Sequence, residues 1–436
     1  MMRTSICTLL CLFSAAALAD AGKVLTLDEA VKLASIHQPT MRQAHATTDV
    51  KVAQQDEARA PLLPQISMQL TRGTRTNNLA SGAVIGLSSA GTGNAANWHL
   101  INLYNPETIG AQQLIWDFDQ TLGKWSAARE ATHSQEDTEK ATLLQVVLTA
   151  RTAFFLARAN RDLVQVARDT LKNQDAHLVQ TKGFVQVGTQ PEIALATAET
   201  NRANALVQLI TAENAYEVAK ATLNQAMGIE QSTNYDVSND SLPPLTDEDA
   251  ETDKLMVEAV AARPEFSALE HQLESQRDLR SSAFGGYFPS LSAQTNFTDN
   301  GTSLNNLTWN WNAALVLNWS LFSGLLTPAQ VREQDANIAS LEAQRDALRL
   351  QVRLGVEQAR LAVRAAKTSY AAAQEALLNA NDQLRLAEGR YQTGVGSIIE
   401  LGDAQVAQTN AAAQKVQAEY SVASARAQLI QALGRP

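Results

Sequence analysis

Residues Arg390–Gln405 read "RYQTGVGSIIELGDAQ", and residues Lys182–Glu199 read "KGFVQVGTQPEIALATAE". In both, a long alanine- and glutamine-rich helical pattern breaks at a glycine and then resumes. Gly188 and Gly394 suit the position just past a helix C-terminus, where the left-handed conformation costs glycine least. Pro191 and Ser397 suit the start of a new helix. Each stretch is therefore expected to be a point where a long helix turns back on itself. Two such reversals in one chain imply that the chain is written twice.

Other landmarks agree. Pro39 and Pro64 are matched by Pro264 and Pro289, and "LNQAMG" before Ile229 is matched by "LIQALG" at the C-terminus. "APLLPQISMQL" corresponds to "GGYFPSLSAQT", and "IWDFDQTLG" to "WSLFSGLLT". A fixed order of matched segments is the signature of an internal repeat. The boundaries follow: a signal segment at 1–19; a first repeat at 20–228; an acidic, proline-containing linker at 229–254, read as a surface loop; and a second repeat at 255–436. In the first repeat a helix leads to Pro64, with strands at about 65–76 and 98–118, a long helix at about 121–187 and a return helix at about 191–227. The second places strands at about 290–299 and 308–322, a long helix at about 328–393 and a return helix at about 397–434.

The strands alternate. In "WNWNAALVLNWSLF", Trp309, Trp311, Leu315, Leu317 and Trp319 share one face, while Asn310, Asn312 and Asn318 lie on the other. A tryptophan-rich apolar face behind an amide-rich polar one is the pattern of a lipid-facing barrel stave. The chain supplies four staves, whereas small closed barrels need about eight. Three chains would supply twelve. The long helices carry heptad rows, such as Leu143, Ala150, Ala157, Val164, Leu171 and Leu178, and, in copy two, Ala359, Ala366, Ala373, Ala380 and Ala387. Small and large rows side by side permit close coiled-coil packing.

Composition narrows the class. The 436 residues carry a net charge of −10, which disfavours nucleic acid as a partner. The N-terminal run Ile6–Leu18, with Ala17-Leu18-Ala19 before Asp20, reads as an export signal. Both cysteines, Cys7 and Cys11, lie inside it, so the exported chain is expected to have no disulfide, thiolate nucleophile or cysteine metal site. No uninterrupted run of 18 apolar residues follows, which leaves β-strands as the route into an outer membrane.

On these residues the sequence resembles the TolC-like outer membrane efflux protein family over nearly the whole exported chain. The resemblance rests on the duplicated proline–strand junctions, "LFSG" before the second long helix, and "RYQTGVGSIIELGDAQ". It implies a homotrimer: a twelve-stranded outer-membrane barrel, four strands per chain, continuing into a periplasmic α-helical coiled-coil barrel. It implies a passive exit duct for tripartite efflux or type I secretion, working with a periplasmic adaptor and an inner-membrane pump of the RND or ABC type. The reversals, with Gly188, Thr189, Gly394, Val395, Gly396 and Ser397, become the periplasmic tips that an adaptor meets. Tyr391 becomes an aromatic that helps hold the tip closed, and Glu400 and Asp403 become acidic residues ringing the entrance. Gly396 departs from members that carry a tip-locking arginine there, which puts a charged lock in doubt.

Other signals are weaker. Asp247, Asp249, Glu251, Asp253 and Glu258 fall at calcium-loop spacing, but Thr252 stands where that loop needs glycine. The six histidines, at 37, 45, 99, 133, 177 and 271, form no ligand set. No catalytic motif, cofactor fingerprint or nucleotide site is present, so an enzyme is not expected. The rival reading is a soluble periplasmic coiled-coil adaptor or scaffold. It explains the helices but not the tryptophan-rich strands.

Overall fold

A computed structural model describes residues 24–76, 100–303 and 305–435. The expected signal segment 1–19, both cysteines, His99 and the Asn77–Asn97 hairpin loop lie outside the described residues. The elements run β1 (Val24–Leu25), α1 (Leu27–His37), α2 (Pro39–Arg59), β2 (Gln65–Thr76), β3 (Leu100–Trp116), α3 (Gln120–Gln186) and α4 (Glu192–Met227). Next come β4 (Asp236–Val237), α5 (Thr252–Ala262), α6 (Pro264–Gly285), β5 (Ser290–Ser303), β6 (Asn306–Asn318), α7 (Leu326–Gln392) and α8 (Ile398–Ala432). The single helix expected before Pro64 is two helices divided at Pro39, and its counterpart is divided at Pro264. Each proline opens the second helix, where its missing N–H costs nothing. β6 ends at Asn318, short of Phe322.

Backbone sign records the duplication. Among the described residues, positive φ occurs at Phe118, Asp119, Gly188, Gly228, Gly324, Leu325, Gly394 and Gly434. They form four pairs of constant separation: 324 − 118, 325 − 119, 394 − 188 and 434 − 228 all equal 206. The prolines pair at a different offset, since 264 − 39 and 289 − 64 both equal 225. The 19-residue difference, 225 − 206, falls in the hairpin between each copy's strands.

The chain forms two units. One comprises His45–Glu139 and Pro264–Leu348. It holds a four-stranded sheet, ordered β2-β3-β5-β6 and antiparallel throughout. Register aligns one face into polar rows: Gln65, Gln112, Gln294; Ser67, Gly110, Asn296, Asn312; and Gln69, Thr108, Thr298, Asn310. A Cβ on Gly110 would stand 2.7 Å from Asn296 Oδ1, so glycine makes room for that amide to lie over β3. The other face carries Ile66, Met68, Leu70, Trp309, Trp311, Leu315 and Leu317, all exposed. β2 and β6 are the sheet's two edges.

The other unit comprises the described residues up to Ala44, Lys140–Arg263, and those from Arg349 onward. Its core includes Leu25, Phe154, Phe155, Leu223, Met227 and Val237. The inter-repeat linker is not simply a surface loop. β4 lies within it and pairs in parallel with β1, and Val237 is 1 % exposed. Glu248, also in the linker, is buried against Arg426 at 3.0 Å and Lys367 at 2.9 Å. Four of the five calcium-spaced carboxylates are engaged by bases: Asp247 by Lys254, Asp249 by Lys367, Asp253 by Arg353 and Glu258 by Arg435. The two terminal glycines pack alike. A Cβ on Gly228 would lie 2.7 Å from Gln38 Cα, and one on Gly434 would lie 2.9 Å from Arg263 N, each just before a dividing proline. One 18-residue window of α3 is apolar enough to cross a bilayer, yet 44% of it is buried inside the chain, as in an amphipathic core helix.

Candidate functional site: the paired helix reversals

Both reversals belong to the second unit. At the first, Gly188 N–H donates to the Val185 carbonyl at 3.0 Å and Thr189 N–H to the Phe184 carbonyl at 2.9 Å. At the second, Gly394 N–H donates to the Tyr391 carbonyl at 3.1 Å, while Val395 and Gly396 N–H donate to the Arg390 carbonyl at 3.0 and 2.9 Å. These bonds cap the last carbonyls of α3 and α7. With φ of 72° and 77°, Gly188 and Gly394 need glycine for conformation alone, because an added Cβ would meet nothing within 4 Å. Gly396 is different. A Cβ there would stand 2.9 Å from Tyr391 N, so close backbone approach excludes a side chain without local movement.

The return helices start unequally. The Ser397 hydroxyl accepts from Glu400 N–H at 3.1 Å, a side-chain N-cap. Pro191 makes no such bond. Arg390 and Glu400 form an ion pair at 3.2 Å across the second reversal. A charged tie therefore exists despite Gly396, supplied from the helix before the turn; half-exposed, it is worth under about 1 kcal/mol. Of the two expected acidic residues, Glu400 is thus engaged. Asp403 is exposed and makes no ion pair among the described residues. It borders a cavity of about 410 Å³ whose lining includes the amides Asn201, Asn204, Gln208 and Asn410.

Tyr391 lies at the centre. It is 5 % exposed and packs with Ala387, Leu401, Ala404, Phe184, Leu384 and Ile398. Its hydroxyl accepts from Gln190 Nε2 at 2.9 Å, which links the second reversal to the first. The His177 ring meets it edge-on at 5.4 Å between centroids, and Phe184 at 6.1 Å. Gln190 and His177 were not legible as site residues from the sequence. Nor were Val187, Ile193 and Ile399, which stand exposed around the turns with Val395. The repeat does offer a signal for two of them: Ile193 and Ile399 each follow the cap position, Pro191 or Ser397, by two residues.

Comparison with known proteins agrees with this architecture. A family model described as outer membrane efflux protein matches residues 30–229 and 255–435. The protein CyaE of Bordetella pertussis (strain Tohama I) is 26% identical over 399 residues, covering 89% of this chain and 79% of CyaE. Outer membrane protein TolC of Escherichia coli K12 is 23% identical over 442 residues, covering 94% of this chain and 83% of TolC. The crystal structure of the Campylobacter jejuni CmeC outer membrane channel superposes with a TM-score of 0.79 at 17% identity, covering 94% of this chain and 85% of CmeC.

Proposed function

Since the chain belongs to the outer membrane efflux protein family, we propose that it is the outer-membrane exit duct of a tripartite efflux or type I secretion system. It is a channel and not an enzyme, and the pump it works with supplies the energy. The observation that carries the reading is the four-stranded sheet. Apolar side chains of its edge strands, among them Ile66, Met68, Trp309 and Leu315, are exposed, and its edges β2 and β6 have no partner among the described residues. In water such a face and such edges invite aggregation. In lipid the face is solvated, but open edges are not tolerated, so the sheet must close. Three copies close it as twelve strands, with the amide rows facing the lumen and the tryptophans facing lipid.

The same reading gives the reversals their role. Val187, Ile193, Val395 and Ile399 offer apolar side chains to the hairpin tip of a periplasmic adaptor, beside Gly188, Thr189, Gly396 and Ser397. Tyr391 holds the entrance closed. Asp403, repeated by threefold symmetry, sets the charge of the constriction and favours cations, with Glu400 contributing less because Arg390 neutralises it. A soluble adaptor has no use for the exposed sheet face. The test is to fractionate membranes, extract the protein in detergent, and measure its mass and its conductance in planar bilayers. A carbonate-resistant trimer that conducts ions is expected. A soluble, monomeric, non-conducting protein would overturn the reading.

A further inference from the structure

The packing of α3 changes character on approach to its reversal. From Leu144 to Ala167 its buried side chains are all apolar, among them Phe154, Ala157, Val164 and Ala167. In the last turns, Gln174, His177 and Thr181 are buried beside Leu178, at 9 %, 7 % and 0 % exposure. Copy two differs. Ala380 and Ala387 stand 14 and seven residues before Gly394, as Gln174 and Thr181 stand before Gly188. The polar seam meets α8 through Gln174 Nε2 donating to Gln405 Oε1 at 2.9 Å, and through the Thr170 and Thr409 hydroxyls at 3.1 Å. Much of it stays unsatisfied: Gln174 Oε1, His177 Nδ1, Thr181 Oγ1 and Gln190 Oε1 are buried without a partner among the described residues. Buried polar groups left unpaired cost about 1–3 kcal/mol each, so this seam is the weak part of the packing around Tyr391.

We propose that His177 is a positioning residue for the Tyr391 gate, and that its protonation loosens the tip so that passage through the duct responds to acid. The inference rests on the gate reading above. His177 presses on the Tyr391 ring, and an imidazolium there would be a buried charge. The groups facing it offer little compensation. From α7 these are Glu388 and Tyr391 itself, and from α8 Asp403 beside Gln405. From α4 they are Thr197, Asn201 and Asn204, none of which titrates in this range. On α3, Asp175 and Lys182 are engaged by Arg202 and Glu199. Desolvation is what pushes the imidazole below its ordinary range. A histidine so depressed favours the packed tip when neutral. That contribution is complete above the ordinary histidine range and is lost as pH falls below it.

The test measures open probability of the full-length trimer in planar bilayers at about pH 7.5 and about pH 5. Wild type should open several-fold more often in acid, and His177→Gln should lose the response, opening equally at both pH values whatever its neutral level. Glu388→Gln and Asp403→Asn should retain it. A full response in His177→Gln, or its disappearance in Asp403→Asn, would overturn the proposal. Hydrogen exchange of residues 174–190 in wild type, corrected for intrinsic rates, needs no variant. Faster exchange in acid is expected, and unchanged exchange would overturn the proposal. Tyr391→Ala separates the two readings. If it leaves the channel shut at every pH, the gate assignment fails; if it opens the channel while wild type ignores acid, only the role of His177 fails.

Discussion

Gln190 Nε2 donates to the Tyr391 hydroxyl at 2.9 Å, so the reversal of each repeat helps fix the other. The bond joins a turn residue of copy one to the last turn of α7 in copy two, 201 residues apart in sequence. Opening either turn alone therefore breaks a contact with the other.

Tyr391→Phe removes that bond and leaves the packed ring in place. The expected loss is about 1 kcal/mol, which raises the open fraction about fivefold. Single-channel recording at neutral pH checks this. Gln190→Ala should give a similar value, and the double variant should not add to it, because both singles break one contact.

Selectivity should separate the two acidic residues. Asp403→Asn should lower the cation-to-anion permeability ratio, read from reversal potentials in a salt gradient. Replacing both members of the Arg390–Glu400 pair by glutamine should change it less, because the two charges at 3.2 Å already cancel. Equal effects would show that the Arg390 pair is open in the conducting state.

Glycine substitutions should rank by what surrounds them. Gly188→Ala meets no atom and costs the left-handed backbone alone, about 1–2 kcal/mol. Gly228→Ala adds a contact of 2.7 Å with the Gln38 backbone, which cannot swing aside. Thermal melts should place Gly228→Ala well below Gly188→Ala. Gly434→Ala should resemble Gly228→Ala.

Acid should attack the linker through Glu248. Burial works to raise this carboxyl, but Arg426 and Lys367 outweigh it and hold it below its ordinary value of 4.5. A depressed carboxyl stabilises the fold above that value, and the contribution is lost as pH falls through the lower folded one. Glu248→Gln should cost about 1.5–3 kcal/mol at neutral pH, since it breaks the charged hydrogen bonds to half-buried Arg426. It should also flatten the acid limb of a stability profile taken by thermal melts across that range.

The repeat, the reversals and the four staves were legible because each leaves a local mark: a glycine that must be left-handed, a proline that must open an element, a face that alternates. The heptad rows announced long helices for the same reason. The β1–β4 pair was not legible. Two residues a strand show no period, and Val237 and Leu25 meet only because some 210 intervening residues fold back. Gln190 and His177 escaped for a related reason. An isolated amide or imidazole on a helical face looks solvated until the partner across the seam, here Tyr391, is placed. Arg390 was not legible because its partner Glu400 lies across the turn, and only the reversal brings the two within 3.2 Å.

Constancy of the 206-residue offset has an evolutionary consequence. One heptad inserted into α3 alone would carry Gly188 about 10 Å beyond Gly394, and Gln190 could no longer reach Tyr391. The halves are free to diverge in side chains, as Thr181 and Ala387 have, but not in the span from strand to turn. Gains and losses of length there must arrive as matched events in both halves or be purged. The hairpins, where the copies differ by 19 residues, are where unpaired change has been tolerated.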